Sequence, residues 1–230
     1  MEPSFIERIQ MLSVQFVPFI MAVVFHEFAH GFVARHWGDH TAEEAGRLTL
    51  NPIPHIDPIG TLLFPIINML TGIQLLFGWA NPVPINPNRF RKYRPALFWV
   101  SIAGPSMNFL LAILSAAAFC SILRFMPSHF YLFEPLAIMS KVSVSLNFAL
   151  GIFNLVPLPP LDGSKIVESF LSLEATRKYE QLSRYSFFIL LALLMTGAFN
   201  LLEYPIRLSS GLTLLFMAKL FGLPDLALMS

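Results

Sequence analysis

Long apolar runs alternate with short, polar, proline-rich stretches along this chain of 230 residues. The first run, residues 9–37, carries no charge between residues 10 and 25. A stretch of about 20 apolar residues rising 1.5 Å each crosses about 30 Å of hydrocarbon, so 9–37 is predicted to span a bilayer, with a kink at Pro18. Further spans are predicted at 96–125, from 142 to 156 and at 185–202, while 206–223 either spans or re-enters. Residues 59–78 are apolar but broken by Gly60, Pro65, Asn68, Gly72 and Gln74, the pattern of a marginal span or of a re-entrant segment lining a cavity. Between the runs, 41–58 and 79–95 read as loops, because closely spaced prolines exclude regular helix. The stretch 126–141 reads as a connection with an amphipathic tail, 165–184 as a charged amphipathic connection, and Glu203-Tyr204-Pro205 as a turn. The fold class is therefore all-α and polytopic, with five to six transmembrane or re-entrant segments. A polar loop region near the site leaves room for β-structure, on whose edge an unwound peptide could add as a strand.

Composition agrees. Hydrophobic residues make up 55% of the chain and charged residues 13%, about half the charged share of a soluble protein. Mean hydropathy is +0.64. Net charge is +1 and no basic run suits nucleic acid. The single cysteine, Cys120, lies in an apolar run, so there is no disulfide framework. Glu2 and Glu7 precede Arg8 in place of a basic leader, so no secretory signal peptide is expected.

The polar residues that matter most lie inside the first apolar run. Phe25-His26-Glu27-Phe28-Ala29-His30 reads H-E-x-x-H. Four residues apart on a helix, His26 and His30 share a face and can reach one metal ion, with Glu27 beside them to take a proton from water at the metal. A charged residue at membrane depth is expensive, which favours function over packing. Arg35, His36, Asp39 and His40 read as the helix leaving the membrane. In the following loop, His55 and Asp57 either approach the metal or serve as a loop residue and a cap. Within 96–125, Asn108 either glues helices together or faces the site to bind substrate or an oxyanion. Asn154 and Pro157-Leu158-Pro159-Pro160-Leu161-Asp162-Gly163 then break a spanning helix at depth. Asp162 either caps the next helix or is the third ligand. Of the four aspartates, it alone sits in an apolar, broken-helix context, which makes it the first candidate.

Eleven cations, at positions 35, 47, 89, 91, 92, 94, 165, 177, 178, 184 and 219, fall on the side where the first helix ends, against four at 8, 124, 141 and 207. By the positive-inside rule that side is cytoplasmic, and both halves of the candidate metal site approach it. The expected location is the plasma membrane, multi-pass.

Taken together, His26-Glu27-x-x-His30 and Asn154-x-x-Pro157-x-Pro159-x-Leu161-Asp162-Gly163 resemble the site-2 protease family of intramembrane zinc metalloproteases. Ala103-Gly104-Pro105-x-x-Asn108 is similar to that family's central helix, and Gly78-Trp79-Ala80-Asn81-Pro82-Val83-Pro84 to its compact bacterial members. The likeness covers roughly 16–165. It implies one Zn²⁺ held by His26, His30 and Asp162, with Glu27 as catalytic base. It also implies transmembrane protein substrates cut within the bilayer. Apart from the resemblance, Asn108, Asn154 and His55 are the candidates for contact with substrate or oxyanion. No insertion between the spans is long enough for a PDZ domain, and one membrane metalloprotease domain is expected over 1–230, with its core at 9–165 and C-terminal helices at 166–223. A zinc transporter could use the same ligands, while the intact ligand set argues against a non-catalytic scaffold. A transporter would be expected to show a second permeation site or an inverted repeat, and the sequence has neither.

Overall fold

The computed structural model describes residues 5–63 and 80–223. Three long helices form its frame: α1 (Phe5–His36), α3 (Tyr93–Phe125) and α4 (Phe133–Asn154). Within these, Ser13–His36, Tyr93–Phe125 and Phe133–Asn154 are long and apolar enough to cross a membrane. They pack antiparallel in sequence order. Ala34 of α1 meets Ala96 and Val100 of α3, and Ala112 and Ala116 of α3 meet Val144 and Phe148 of α4. Close approach is set by small residues: a Cβ built on Gly151 would collide with the ring of Phe109.

Polar and apolar residues are distributed as lipid requires. Asn108, Asn147 and Ser101 are buried between helices, while Trp99, Leu110, Ile113 and Leu114 of α3 face outward. With no water at that depth, buried amides must find partners inside the bundle. Ser115 and Ser143, for example, bridge α3 and α4 at 2.8 Å.

The loop after α1 opens with the short helix α2 (Thr41–Glu44) and continues through a 3₁₀ turn (Ile53–His55) to one wide helical turn (Pro58–Leu63). Residues 64–79, where the expected re-entrant segment lies, fall outside the described residues. Residues 80–86 have no regular structure and pass beside α1, where Val83 packs on Gly31, and no strand occurs among the described residues. The chain after α4 turns sharply into α5 (Asp162–Phe170), followed by the amphipathic α6 (Leu173–Leu182), then α7 (Ser186–Met195) and α8 (Asn200–Leu220).

Three expectations from the sequence are corrected. Helix α4 begins at Phe133, so 133–141 is helix and not connection; Glu134 in the first turn and Pro135 behind it are both favoured at a helix start. Helix α7 has ten residues, about 15 Å, half the thickness needed to span. The chain turns back at Gly197, whose φ of +71° suits glycine, and α8 runs through Glu203-Tyr204-Pro205 without a turn. Helix α8 therefore runs opposite to the direction expected. Phe199 meets Phe153 near the site end, and Phe221 meets Phe125 at the other, which moves Lys219 to the far side.

Candidate metal centre

The sequence brings the two imidazoles together by helical spacing alone, but what they face is built by α3 and α5. His26 and His30 project from α1 onto the stretch of α3 around Gly104. A Cβ built there would collide with His30 Nε2 and lie 2.6 Å from His26 Cε1. Only glycine leaves room for both rings. Pro105, next in the chain, withholds the N–H that the carbonyl of Ser101 would receive in a regular helix.

Asp162 arrives from the other side, as the first residue of α5. The turn that delivers it is compact: Leu158 N–H donates to the carbonyl of Val156, and Leu161 N–H to that of Leu158. Gly163 lies on the end of α4 so closely that a Cβ would strike the carbonyls of Leu155 and Val156. From α6, Tyr179 Oη donates to the carbonyl of Pro157 at 2.8 Å. At the far end of α5, Glu168 is buried and accepts from Tyr93 Oη at 3.0 Å and Lys165 Nζ at 2.7 Å, tying α5 to α3.

The result is a triangle of heteroatoms. His26 Nε2 and His30 Nε2 are 3.0 Å apart, and Asp162 Oδ2 lies 3.2 Å from the first and 3.3 Å from the second. The protons on these groups can be assigned. His30 Nδ1 sits 2.7 Å from the carbonyl of Val100, which only accepts, so Nδ1 carries hydrogen. His26 Nδ1 sits 2.6 Å from Asn108 Oδ1. The amide of Asn108 cannot be reversed, because its Nδ2 donates to the carbonyl of Ala22 and to Asn147 Oδ1. Asn147 is oriented in turn by donating to the carbonyl of Ser143. His26 Nδ1 therefore also donates. With both Nδ1 atoms protonated, each ring in its neutral form turns a bare Nε2 lone pair toward one carboxylate oxygen, and that buried oxygen has no hydrogen-bond partner. Three acceptors converging without a hydrogen among them fit a cation. The triangle matches the ~3.3 Å edge of a tetrahedron built on metal–ligand bonds of about 2.0–2.1 Å, the zinc geometry. Among the described residues, His26, His30 and Asp162 are the one group of three such side chains placed to share an ion.

Glu27 points to a different neighbour. Its Oε2 accepts the backbone N–H of Val83 at 2.8 Å, in the segment that passes beside α1.

The remaining candidates are placed apart from this triangle or behind it. His55 is buried, donates from Nε2 to the carbonyl of Thr49 at 3.0 Å, and is not among the clustered ligands. Asp57 caps the wide helical turn, its Oδ1 accepting from Ile59 N–H and Gly60 N–H. Asn154 is half-buried at the end of α4 and donates to the carbonyl of Leu150. Asn108 is fully buried, and both hydrogens of its amide are taken by Ala22 and Asn147, which leaves none for an oxyanion. Its contact is with His26. The roles of Asn147, Tyr93 and Glu168 had no signature in the sequence, because each acts through a partner 39 or 75 residues away.

Comparison with known proteins points the same way. Residues 132–197 match the model of peptidase family M50. The chain is 39% identical over 196 residues to a Bacillus subtilis protein named "Putative zinc metalloprotease YwhC", covering 82% of this chain and 83% of that one. It is 31% identical over 184 residues to "Putative zinc metalloprotease Rip2" of Mycolicibacterium smegmatis, covering 79% of this chain and 66% of that one. A Mycobacterium tuberculosis protein of the same name is 32% identical over 181 residues. No solved structure matches. Shared length and identity of this order place the chain, with its apolar helices and its buried triangle of acceptors, in peptidase family M50: it is a membrane zinc metalloprotease of the site-2 protease type.

Proposed function

We propose that this protease hydrolyses peptide bonds within or near transmembrane segments of membrane-protein substrates, with His26, His30 and Asp162 holding the zinc and Glu27 acting as general base. The observation that carries the reading is the convergence of three bare acceptors, from α1 and from the start of α5, inside a bundle whose outer face is apolar.

Bound zinc supplies Lewis acidity, polarising a carbonyl and bringing the pKa of water toward about 7. The chain's own residues do the rest. Glu27 accepts a proton from the attacking water and returns it to the leaving amine. The N–H of Val83 holds one oxygen of Glu27 and leaves the other for that transfer. Asn108 holds His26 in the tautomer that turns Nε2 toward the ion. Asn154, half-buried beside the turn that carries Asp162, is the residue we assign to substrate. A helical substrate hides its carbonyls in internal hydrogen bonds, so it must unwind before the cut.

We further read 9–165 as the catalytic core and 166–223 as C-terminal helices that close the bundle. The site faces the cytoplasm, and the membrane is the plasma membrane. In support, Arg35, Arg47, Arg89, Arg91, Lys92 and Arg94 cluster in sequence around the end of α1 and the start of α3. The test is an in-lipid cleavage assay on a generic transmembrane peptide with parallel zinc quantitation. Glu27→Gln should keep about one zinc per chain and lose cleavage, by 10²-fold or more. Retained cleavage in that variant removes Glu27 as base. Asp162→Ala should lose the zinc, and a loaded Asp162→Ala protein removes the ligand assignment.

A further inference from the structure

The base proposed above does not stand alone on its helix. Its carboxylate is held by a segment remote in sequence, and that segment has an anchor no part of the H-E-x-x-H pattern announces. In Asn81-Pro82-Val83-Pro84, both prolines lack a backbone N–H, so Val83 owns the one donor across 82–84. That donor goes to Glu27 Oε2. The Val83 side chain is buried and rests where Gly31 offers no Cβ, one turn along from Glu27.

The register of this segment is then set by contacts on either side of Val83. Arg47, half-buried in the loop after α2, donates from Nη1 to Asn81 Oδ1 at 3.1 Å and to the carbonyl of Pro82 at 2.9 Å. Asn81 N–H donates to the carbonyl of His55 at 2.8 Å, and Asn86 N–H to Asp39 Oδ2 at 2.6 Å. Of these anchors, Arg47 is the one whose side chain grips both residues immediately before Val83. Both bonds leave one nitrogen, Nη1, whose two hydrogens lie in the rigid guanidinium plane, so direction is fixed as well as distance.

We propose that Arg47 is a positioning residue for proteolysis: by pinning Asn81 and Pro82 it places the N–H of Val83, and that N–H places Glu27. The proposal rests on Glu27 being the base. Misplacing a reacting group by 1 Å can cost about 10²-fold in rate, so a slack anchor is expected to appear in kcat.

The experiment uses the full chain, zinc-loaded, in lipid, with a transmembrane peptide as substrate. Arg47→Ala should lower kcat about tenfold, with KM and zinc affinity within about twofold of wild type. Arg47→Lys keeps a charged donor but on a flexible stem without the rigid planar group, and should fall between them. Val83→Pro removes the one N–H in a segment already rich in proline, and should lower kcat to a similar extent. In that background Arg47→Ala should add less than about twofold, because both changes act through the same bond. Amide exchange of the 80–86 peptide should speed up about tenfold in Arg47→Ala, a readout independent of activity. If Val83→Pro fails to load zinc, the exchange and the Arg47 series decide the matter.

Wild-type kcat in Arg47→Ala, full additivity with Val83→Pro, or zinc affinity falling in step with kcat would overturn the proposal. Cleavage surviving in Glu27→Gln would overturn the parent reading instead. A dead Glu27→Gln enzyme beside an unimpaired Arg47→Ala enzyme sinks the Arg47 proposal alone.

Discussion

Asn108 Oδ1 lies 2.6 Å from His26 Nδ1, across 82 residues of sequence and between two helices that both run through the bundle. The amide is held the right way round by Ala22 and Asn147, so the imidazole is held in one tautomer. Partners behind a metal ligand of this kind commonly contribute 10–100-fold in metal affinity. Asn108→Ala is therefore expected to weaken zinc binding by about 10–100-fold, measured by competition with a chelator. Cleavage should fall at limiting zinc and recover when zinc is in excess. Unchanged zinc affinity would mean that Asn108 packs helices and does nothing for His26.

Gly104 allows a sharper test. A Cβ there occupies the space of both imidazole rings, while alanine is about 1 kcal/mol better than glycine in a helix. Gly104→Ala should thus keep helicity and lose bound zinc. Gly211→Ala, on α8 with open space around it, should change neither. Zinc bound normally by Gly104→Ala would show that the rings have room to retreat, and would put the site's geometry in doubt.

How much of this was legible beforehand follows from the range of each interaction. The pair His26 and His30 is a local pattern, four residues apart, and α1 and α3 announce themselves by length and apolarity. Asp162 could be singled out because carboxylates are scarce in this chain and prolines mark a broken helix. The path of 186–220 was misread for the converse reason. Thr196, Gly197 and Asn200 are the only marks of the reversal, and nothing local distinguishes a ten-residue α7 from part of a longer span. Asn108 was noticed, but the direction of its amide depends on Asn147 and Ser143 of another helix, which no spacing reveals. Val83 acts through its backbone, so its side chain carries no trace of the bond to Glu27.

The link between Tyr93 and Glu168 should matter to stability as well as to the site. Glu168 is buried, and Tyr93 Oη donates to it from the first turn of α3. Tyr93→Phe leaves Glu168 Oε1 without that donor, an unmade hydrogen bond of the kind that costs about 1–3 kcal/mol, and partial exposure of Tyr93 puts the expectation near the lower figure. Glu168→Gln keeps an acceptor and should cost less. Denaturant unfolding of the zinc-loaded protein in detergent measures both. Equal stabilities for wild type and Tyr93→Phe would leave α5 anchored by its apolar contacts.

Removal of the metal tests the triangle directly. Two imidazoles with their hydrogens on Nδ1 and one carboxylate oxygen without a hydrogen bond face each other at 3.0 to 3.3 Å. On the proposed assignment one cation is shared by this group, and a cation that binds the folded chain and not the unfolded one stabilises the fold. At free zinc a thousandfold above its dissociation constant the gain is about 4 kcal/mol, and it should appear as a zinc-dependent rise in Tm that a chelator reverses. Asp162→Ala leaves two nitrogens and an open side, and most of that rise should vanish. A chelator-reversible rise of the same size in Asp162→Ala would show that the ion is held without residue 162, and the enzyme's third ligand would have to be sought elsewhere in the chain.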